Sequence, residues 1–252
     1  MIMVKESVST IDASGIYYRD LNARLRELTA GGAQKISLYN VHGQRYIGTD
    51  INQPVEIEIN GTPGNDLGAF MNGPRITVRG NAQDGCGNTM NEGEIIVHGR
   101  AGDTVGLSAR GGKIFIQGDV GYRAGIHMKE YKDKKPVIVI GGTAQDFLGE
   151  YMAGGVLILL GMNLEEGQSH RTKYVGTGMH GGVMYVHGDI PTYQLGKEVG
   201  VADLKEADYD ILKVYIGEFA ALFGYDAQEI LSHEFKKLYP RWLRPYGRLY
   251  AY

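Results

Sequence analysis

The residues here that could do chemistry recur about every twenty positions. Asp84, Asp103 and Asp146 each stand three residues before a glycine, with Asn65 in the equivalent place. Carboxylates at one pitch could ligate a row of cations. Asp and Asn at such positions also bond the backbone of their own turn. We adopt the turn reading, because Tyr122 interrupts the column. Met71, Met90, Met128 and Met152 form a second column, which Ala109 completes. Thioethers take soft metals, but methionine more often fills irregular core space. The one cysteine, Cys86, shares an apolar column with Leu67 and Val105, which suits an inert core thiol. Of seven histidines, His98 and His187 occupy the same repeat position, and His127 and His180 follow glycines. No Ser-His-Asp or Cys-His grouping emerges. The glycines at Gly121 and Gly125 open no helix after a strand, so they do not form a phosphate loop. No catalytic, cofactor-binding or metal-ligating residue is nominated.

The element that must position all of these is a repeat. Seven short apolar stretches, at 55–61, 75–80, 94–99, 113–118, 136–141, 156–161 and 183–188, each close on a glycine. The closing glycines are Gly61, Gly80, Gly99, Gly118, Gly141, Gly161 and Gly188, spaced 19, 19, 19, 23, 20 and 27 residues apart. A second corner glycine follows in five repeats: Gly68, Gly87, Gly106, Gly125 and Gly149. Side chains two and four residues before each closing glycine are apolar, from Ile57 and Ile59 through Val137 and Val139 to Met184 and Val186. Alternation of period two reads as a strand with one face inward. Glycine corners allow tight turns and close backbone approach. The fold class expected is an all-β core: a right-handed parallel β-helix of about seven coils with a period near 19 residues, flanked by N- and C-terminal helices.

Composition agrees. Glycine makes up 38 of 252 residues, about twice the usual ~7%. The net charge of −3 argues against nucleic acid or an anionic membrane as partner. The longest wholly apolar run, 156–160, is far too short to span a bilayer. The N-terminal residues lack a signal-peptide apolar region, so a cytoplasmic location is expected. A single cysteine leaves no intrachain disulfide and no cysteine-ligated cluster.

Three regions are expected within one structural domain: an arm and capping helix at 1–35, the β-helix at 36–190, and a helical region at 191–252. Residues 1–16 read as irregular. A helix over 17–28 places Leu21, Leu25 and Leu28 on one face and ends at Gly31-Gly32. Residues 36–47 read as an incomplete first coil. That coil or the helix should cover one open end. Residues 205–223 read as a helix with Ile211, Tyr215, Phe219 and Leu222 on its buried face, stopped by Gly224. Asp226 and Glu229 suggest a capping box for a further helix through Ala227, Ile230, Leu231, Phe235 and Leu238, ended by Pro240. The aromatic tail 241–252, with Trp242, should pack on the solenoid or on a partner. Two coils are enlarged, by four residues at 129–135 and by a longer insertion at 162–177 carrying Glu165, Glu166, His170 and Arg171. Both read as surface loops.

The outward strand positions change character along the column. Glu58, Asn60, Thr77 and Arg79 are polar, but Ile96, Phe115, Ile138, Ile140, Ile158, Leu160 and Tyr185 are not. Strands apolar on both faces are normally covered on both. The C-terminal helices should cover this face. A partner subunit or a second copy in a homo-oligomer is the other candidate.

The corner pattern also resembles a known family. GQRYIG at 43–48, the DxxG corners, GIHMKEY at 125–131, GEYMAGGVLILLG at 149–161 and GMHGGVMYVHGD at 178–189 resemble the C-terminal GXGXG domain of the large (alpha) subunit of glutamate synthase. Formylmethanofuran dehydrogenase and methylglutamate-synthase-like complexes carry a similar domain in a separate subunit. The resemblance implies a β-helix that works as a scaffold. It implies a synthase subunit with FMN and iron–sulfur clusters, and a glutaminase subunit, as partners. The chain begins Met-Ile-Met, so the terminal cysteine of the glutaminase is not here, and no catalytic residue of the family carries over. A stand-alone carbohydrate enzyme is the contrasting expectation. It would need carboxylates clustered on one open face.

Overall fold

The computed structural model describes residues 8–165, 167–188 and 190–242. The chain winds as a parallel β-solenoid. Strands β1 (Val8–Asp12), β2 (Lys35–His42), β3 (Glu56–Thr62), β4 (Asn72–Val78), β5 (Glu92–Val97), β6 (Lys113–Ile116), β7 (Val137–Ile140), β8 (Ala153–Leu159) and β9 (Gly181–His187) lie side by side in chain order, each parallel to the next. Helix α1 (Tyr18–Ala30) links β1 to β2. Beyond β9 come β10 (Val199–Ala202), α2 (Glu206–Phe223), the short α3 (Ala227–Leu231) and β11 (Phe235–Pro240). β11 pairs antiparallel with β9, and β10 antiparallel with β11.

Two apolar clusters follow from the alternation along the strands. Inward positions such as Ile57, Ile76, Ile95, Ile114, Leu157 and Met184 fill the solenoid, with Leu21 and Leu25 of α1 in the same cluster. Outward positions from β5 onward form a second cluster with Leu212, Ile216 and Phe219 of α2. Each fully buried side chain of this size stabilises the fold by about 1.5–3 kcal/mol.

One register differs from the sequence reading. β7 pairs Ile114 with Ile138 and Ile116 with Ile140, and β8 continues with Leu157 and Leu159. Ile138 and Ile140 therefore point into the solenoid, while Val137 and Val139 face outward. The closing glycine of this coil is Gly142, whose N–H bonds the Gly118 carbonyl at 3.0 Å, not Gly141. Within the doublet Gly141-Gly142 the earlier glycine was the wrong anchor, and a one-residue slip exchanges the two faces of a strand. With Gly142 the spacings become 24 and 19, so the insertion near residue 131 is five residues long.

Three further corrections concern the flanks. Residues 8–12, read as irregular, form β1, with Ile11 in the interior; residues 1–7 lie outside the described part. The helix read through Phe235 and Leu238 stops at Leu231. Phe235 and Leu238 belong to β11, where positions three apart face opposite sides: Leu238 joins the solenoid interior and Phe235 the cluster under α2. Asp226 does cap α3, accepting from the N–H of Gln228 at 2.7 Å. The buried side of α2 carries Asp208, Leu212, Ile216, Phe219 and Ala220, with Ile211, Tyr215 and Leu222 at its margin. Gly224 ends α2 at φ 78°.

Candidate functional site

The outer strand face is the first surface the repeat sets apart. Phe115, Ile158, Leu160 and Tyr185 lie in the cluster beneath α2, and Val137 and Val139 take the places expected of Ile138 and Ile140. A Cβ on Gly141 would stand 2.7 Å from the Phe219 ring, so that glycine admits the helix. A buried polar knot fastens α2. The Tyr185 hydroxyl donates to Asp208 at 2.7 Å, Lys237 of β11 donates to the same oxygen at 2.6 Å, and the Lys205 N–H reaches the other at 2.9 Å. Burial pushes the Asp208 carboxyl upward, but the bonds from Lys237, Lys205 and Tyr185 outweigh it and hold the acid below its ordinary range. Burial and the Asp208 charge raise the Tyr185 phenol. The sequence reading missed this knot, because its members lie on three separate elements. The uncovered part of the face is charged: Arg79 pairs with Glu58 and Arg75 with Glu94, each at 3.0 Å.

The corner face is the second surface. Every coil carries positive φ at alternate residues, i, i+2 and i+4. The triplets run from Tyr46, Gly48, Asp50 through Thr104, Gly106, Ser108, then Arg123, Gly125, His127 and Phe147, Gly149, Tyr151, to Tyr174, Gly176, Gly178. Alternation lets amides point to both neighbours. Thr104 N–H bonds Tyr122 of the next coil at 2.7 Å, Gly106 bonds Cys86 of the previous coil at 2.7 Å, and Ser108 bonds Ile126 of the next at 2.9 Å. The middle residue faces inward: a Cβ on Gly106 would strike Ile138 Cδ1. The flanking side chains lie toward the surface, half-buried at Thr104, Ser108 and Phe147 and exposed at Arg123, His127 and Tyr151, and here the aromatic ones stack. Arg123 lies 4.6 Å over the Phe147 ring, Phe147 stacks on Tyr174 at 4.9 Å, and His127 stacks on Tyr151 at 5.3 Å.

The closing corners work by proximity instead. Gly80, Gly99 and Gly118 stack so closely that a Cβ on each would stand 2.7–3.0 Å from the preceding glycine's carbonyl oxygen. The Asp column is structural, but differently from the turn reading. Asp84, Asp103 and Asp146 accept from the backbone N–H groups of Asp103, Tyr122 and Lys173, each at 2.8 Å, in the following coil. The Met column is buried, and so is Cys86, whose thiol burial pushes up to about 12. His98 contacts Arg79 at 2.9 Å and meets Phe223 edge-on. His180 lies against the Gly178 carbonyl at 3.1 Å. In the long insertion His170 is buried, its Nε2–H donating to the His187 carbonyl at 2.7 Å. Glu166 lies outside the described residues. Trp242 is exposed, and the tail beyond it, 243–252, is likewise outside them.

Among the described residues no group of three or more His, Cys, Asp or Glu side chains is placed to hold a metal ion. No described helix is long and apolar enough to cross a membrane. Residues 27–245 match the family model described as the GXGXG motif. An uncharacterized protein of Methanocaldococcus jannaschii, MJ1350, is 49% identical over 249 residues, covering 96% of this chain and 95% of that protein.

Proposed function

The chain belongs to the GXGXG motif family, and from that premise we propose that it is a non-catalytic scaffolding subunit of a split glutamate synthase-type complex. Family membership supports a glutamate-synthase-related role. The observation that carries the scaffold reading is the disposition of the polar side chains. Asp84, Asp103 and Asp146 are spent on inter-coil backbone bonds, and the one cysteine is sealed in the core with its thiol pushed up to about 12. This chain supplies neither a cysteine nucleophile for glutamine hydrolysis nor thiolates for a cluster.

In this reading FMN and iron–sulfur clusters reside on partner subunits. The complex moves amide nitrogen from glutamine onto 2-oxoglutarate, and the solenoid fixes the glutaminase and synthase parts relative to each other, so that ammonia passes between them. Its contribution is positioning. A column whose coils are tied in both directions by backbone bonds suits that task, because it resists bending.

Gentle affinity purification from the native source, with mass spectrometry of the accompanying proteins, tests this. An FMN/iron–sulfur synthase protein and a glutaminase are expected, with glutamate formation in the reconstituted mixture falling when this subunit is withheld. FMN or glutaminase activity in the isolated subunit overturns the reading. A molybdopterin protein as partner transfers it to a formylmethanofuran-dehydrogenase-like complex.

A further inference from the structure

The five-residue insertion near residue 131 builds a pocket that the scaffold role does not require. An open cavity of about 200 Å³ is lined by Ser108, Arg110, His127, Lys129 and Tyr131. Four of these come from two repeat positions. Ser108 and His127 are the third positive-φ residues of consecutive coils. Arg110 and Lys129 follow two residues later, and their amides bond the previous coil at Met90 and Ala109. Stacked coils bring like positions to about 4.8 Å spacing at the backbone. The Arg110 column holds Asn72 and Asn91 in the coils before and Ala153 after. Two adjacent cations are thus a local departure from the repeat, and like charges at this spacing repel. Burial, then the Arg110 charge, pushes the Lys129 ammonium down.

The insertion supplies the fifth side chain and is itself held in place. Tyr131 and Lys134 exchange backbone bonds at 3.1 and 3.0 Å. The Lys134 ammonium reaches back to Glu92 at 2.8 Å and Asn72 at 3.2 Å. Gly111 lets the loop lie close, since a Cβ there would stand 3.0 Å from Lys134 Cβ. The loop's acid, Glu130, is engaged by the Gly155 N–H at 3.1 Å and by Lys135 at 3.7 Å. His127 is fixed by its stack on Tyr151.

We propose that this pocket binds a small, multiply charged oxyanion, the phosphate or dicarboxylate part of a metabolite. Arg110 and Lys129 supply the opposing charge. His127, Ser108 and Tyr131 supply hydrogen bonds. The inference is independent of the complex proposed above.

The test is calorimetric titration of the full chain, at low ionic strength, with inorganic pyrophosphate and separately with malonate. Imidazole resonances of His127 are followed in parallel. One-site saturable binding by at least one probe is expected, with the His127 resonances moving. Affinity should fall tenfold or more in Arg110→Gln and in Lys129→Gln, and stay unchanged in the remote pair Lys197→Gln/Lys213→Gln. Tighter pyrophosphate assigns a phosphate ligand, and tighter malonate a carboxylate. The proposal fails if neither probe saturates at millimolar concentration, if binding survives both pocket substitutions, or if it leaves the His127 resonances unmoved in the unmodified protein.

Discussion

At the residue scale, glycines in this chain serve two separable needs, and substitution can tell them apart. Gly106 has φ 67° and a Cβ there would strike Ile138, whereas Gly224 has φ 78° and open space around it. Gly224→Ala should cost only the left-handed backbone penalty, about 1 kcal/mol. Gly106→Ala adds overpacking and should cost roughly 2–4 kcal/mol in urea unfolding. Equal costs would refute the inward-facing assignment. The same scale explains the one register error. Gly141 and Gly142 are indistinguishable in sequence, and the groups that require the first of them, the Gln117 carbonyl of the previous coil and Phe219 from a helix 78 residues on, meet it only in the folded chain. His170 gives a pH prediction. Burial depresses its pKa, the His187 carbonyl opposes that, and the charge of His187 reinforces it. The unfolded chain takes up this proton as pH falls through about 6.5, while the folded chain does not until lower pH. The unfolded state then binds more protons, so stability drops on acidification. Melting between pH 7.5 and 5.5 should lose about 1 kcal/mol, or about 2–4 °C, relative to His170→Gln. Parallel curves for the two proteins would mean that His170 is not the group responsible.

At the element scale, the strands were legible because each repeats the same alternation, whereas the elements that cover them occur once. A spacing of three fits one face of a helix, whereas in a strand it puts Phe235 and Leu238 on opposite faces; β11 is apolar on both because the solenoid interior takes Leu238, the cluster under α2 takes Phe235, and pairing with β9 holds the strand between them. The attachment of α2 was invisible for the same reason: Tyr185, Asp208 and Lys237 become neighbours only after the chain returns to the sheet. Asp208→Ala leaves the Lys237 ammonium and the Tyr185 hydroxyl without their acceptor, and should destabilise by about 3 kcal/mol. Tyr185→Phe removes one donor to a satisfied acid and should cost about 1–2 kcal/mol. Both losses should appear in thermal melts, and α2 amides should exchange faster in the Asp208 variant. A melt of Asp208→Ala within 0.5 kcal/mol of the parent would show that the apolar contacts of Phe219 and Ile216 alone hold the helix. Because the Asp208 pKa is depressed, its contribution is present above about pH 4 and is lost as acid protonates the folded carboxyl.

At the scale of the whole molecule, stability is a sum over neighbouring coils, so the two ends decide where the column opens. The ends are built differently. At one, β1 is the outermost strand, no described strand pairs with its far edge, and Val8 is 55% exposed. At the other, β9 is followed by β11 and β10 in antiparallel register, and Lys237 of β11 is tied to Asp208 of α2. Between them each coil is bonded on both sides, and β5 to β9 are apolar on both faces, one under α2. Opening should therefore start at the N-terminal end. Hydrogen exchange read by mass spectrometry should find β1 and β2 fastest among the parallel strands, β3 and β4 intermediate, and β6 to β8 slowest, approaching global unfolding. Loss of protection in β9 before β2 would mean that the antiparallel pair does not clamp its end. Uniform exchange across β2–β9 would mean that the solenoid opens as one unit and that neither end decides where it starts.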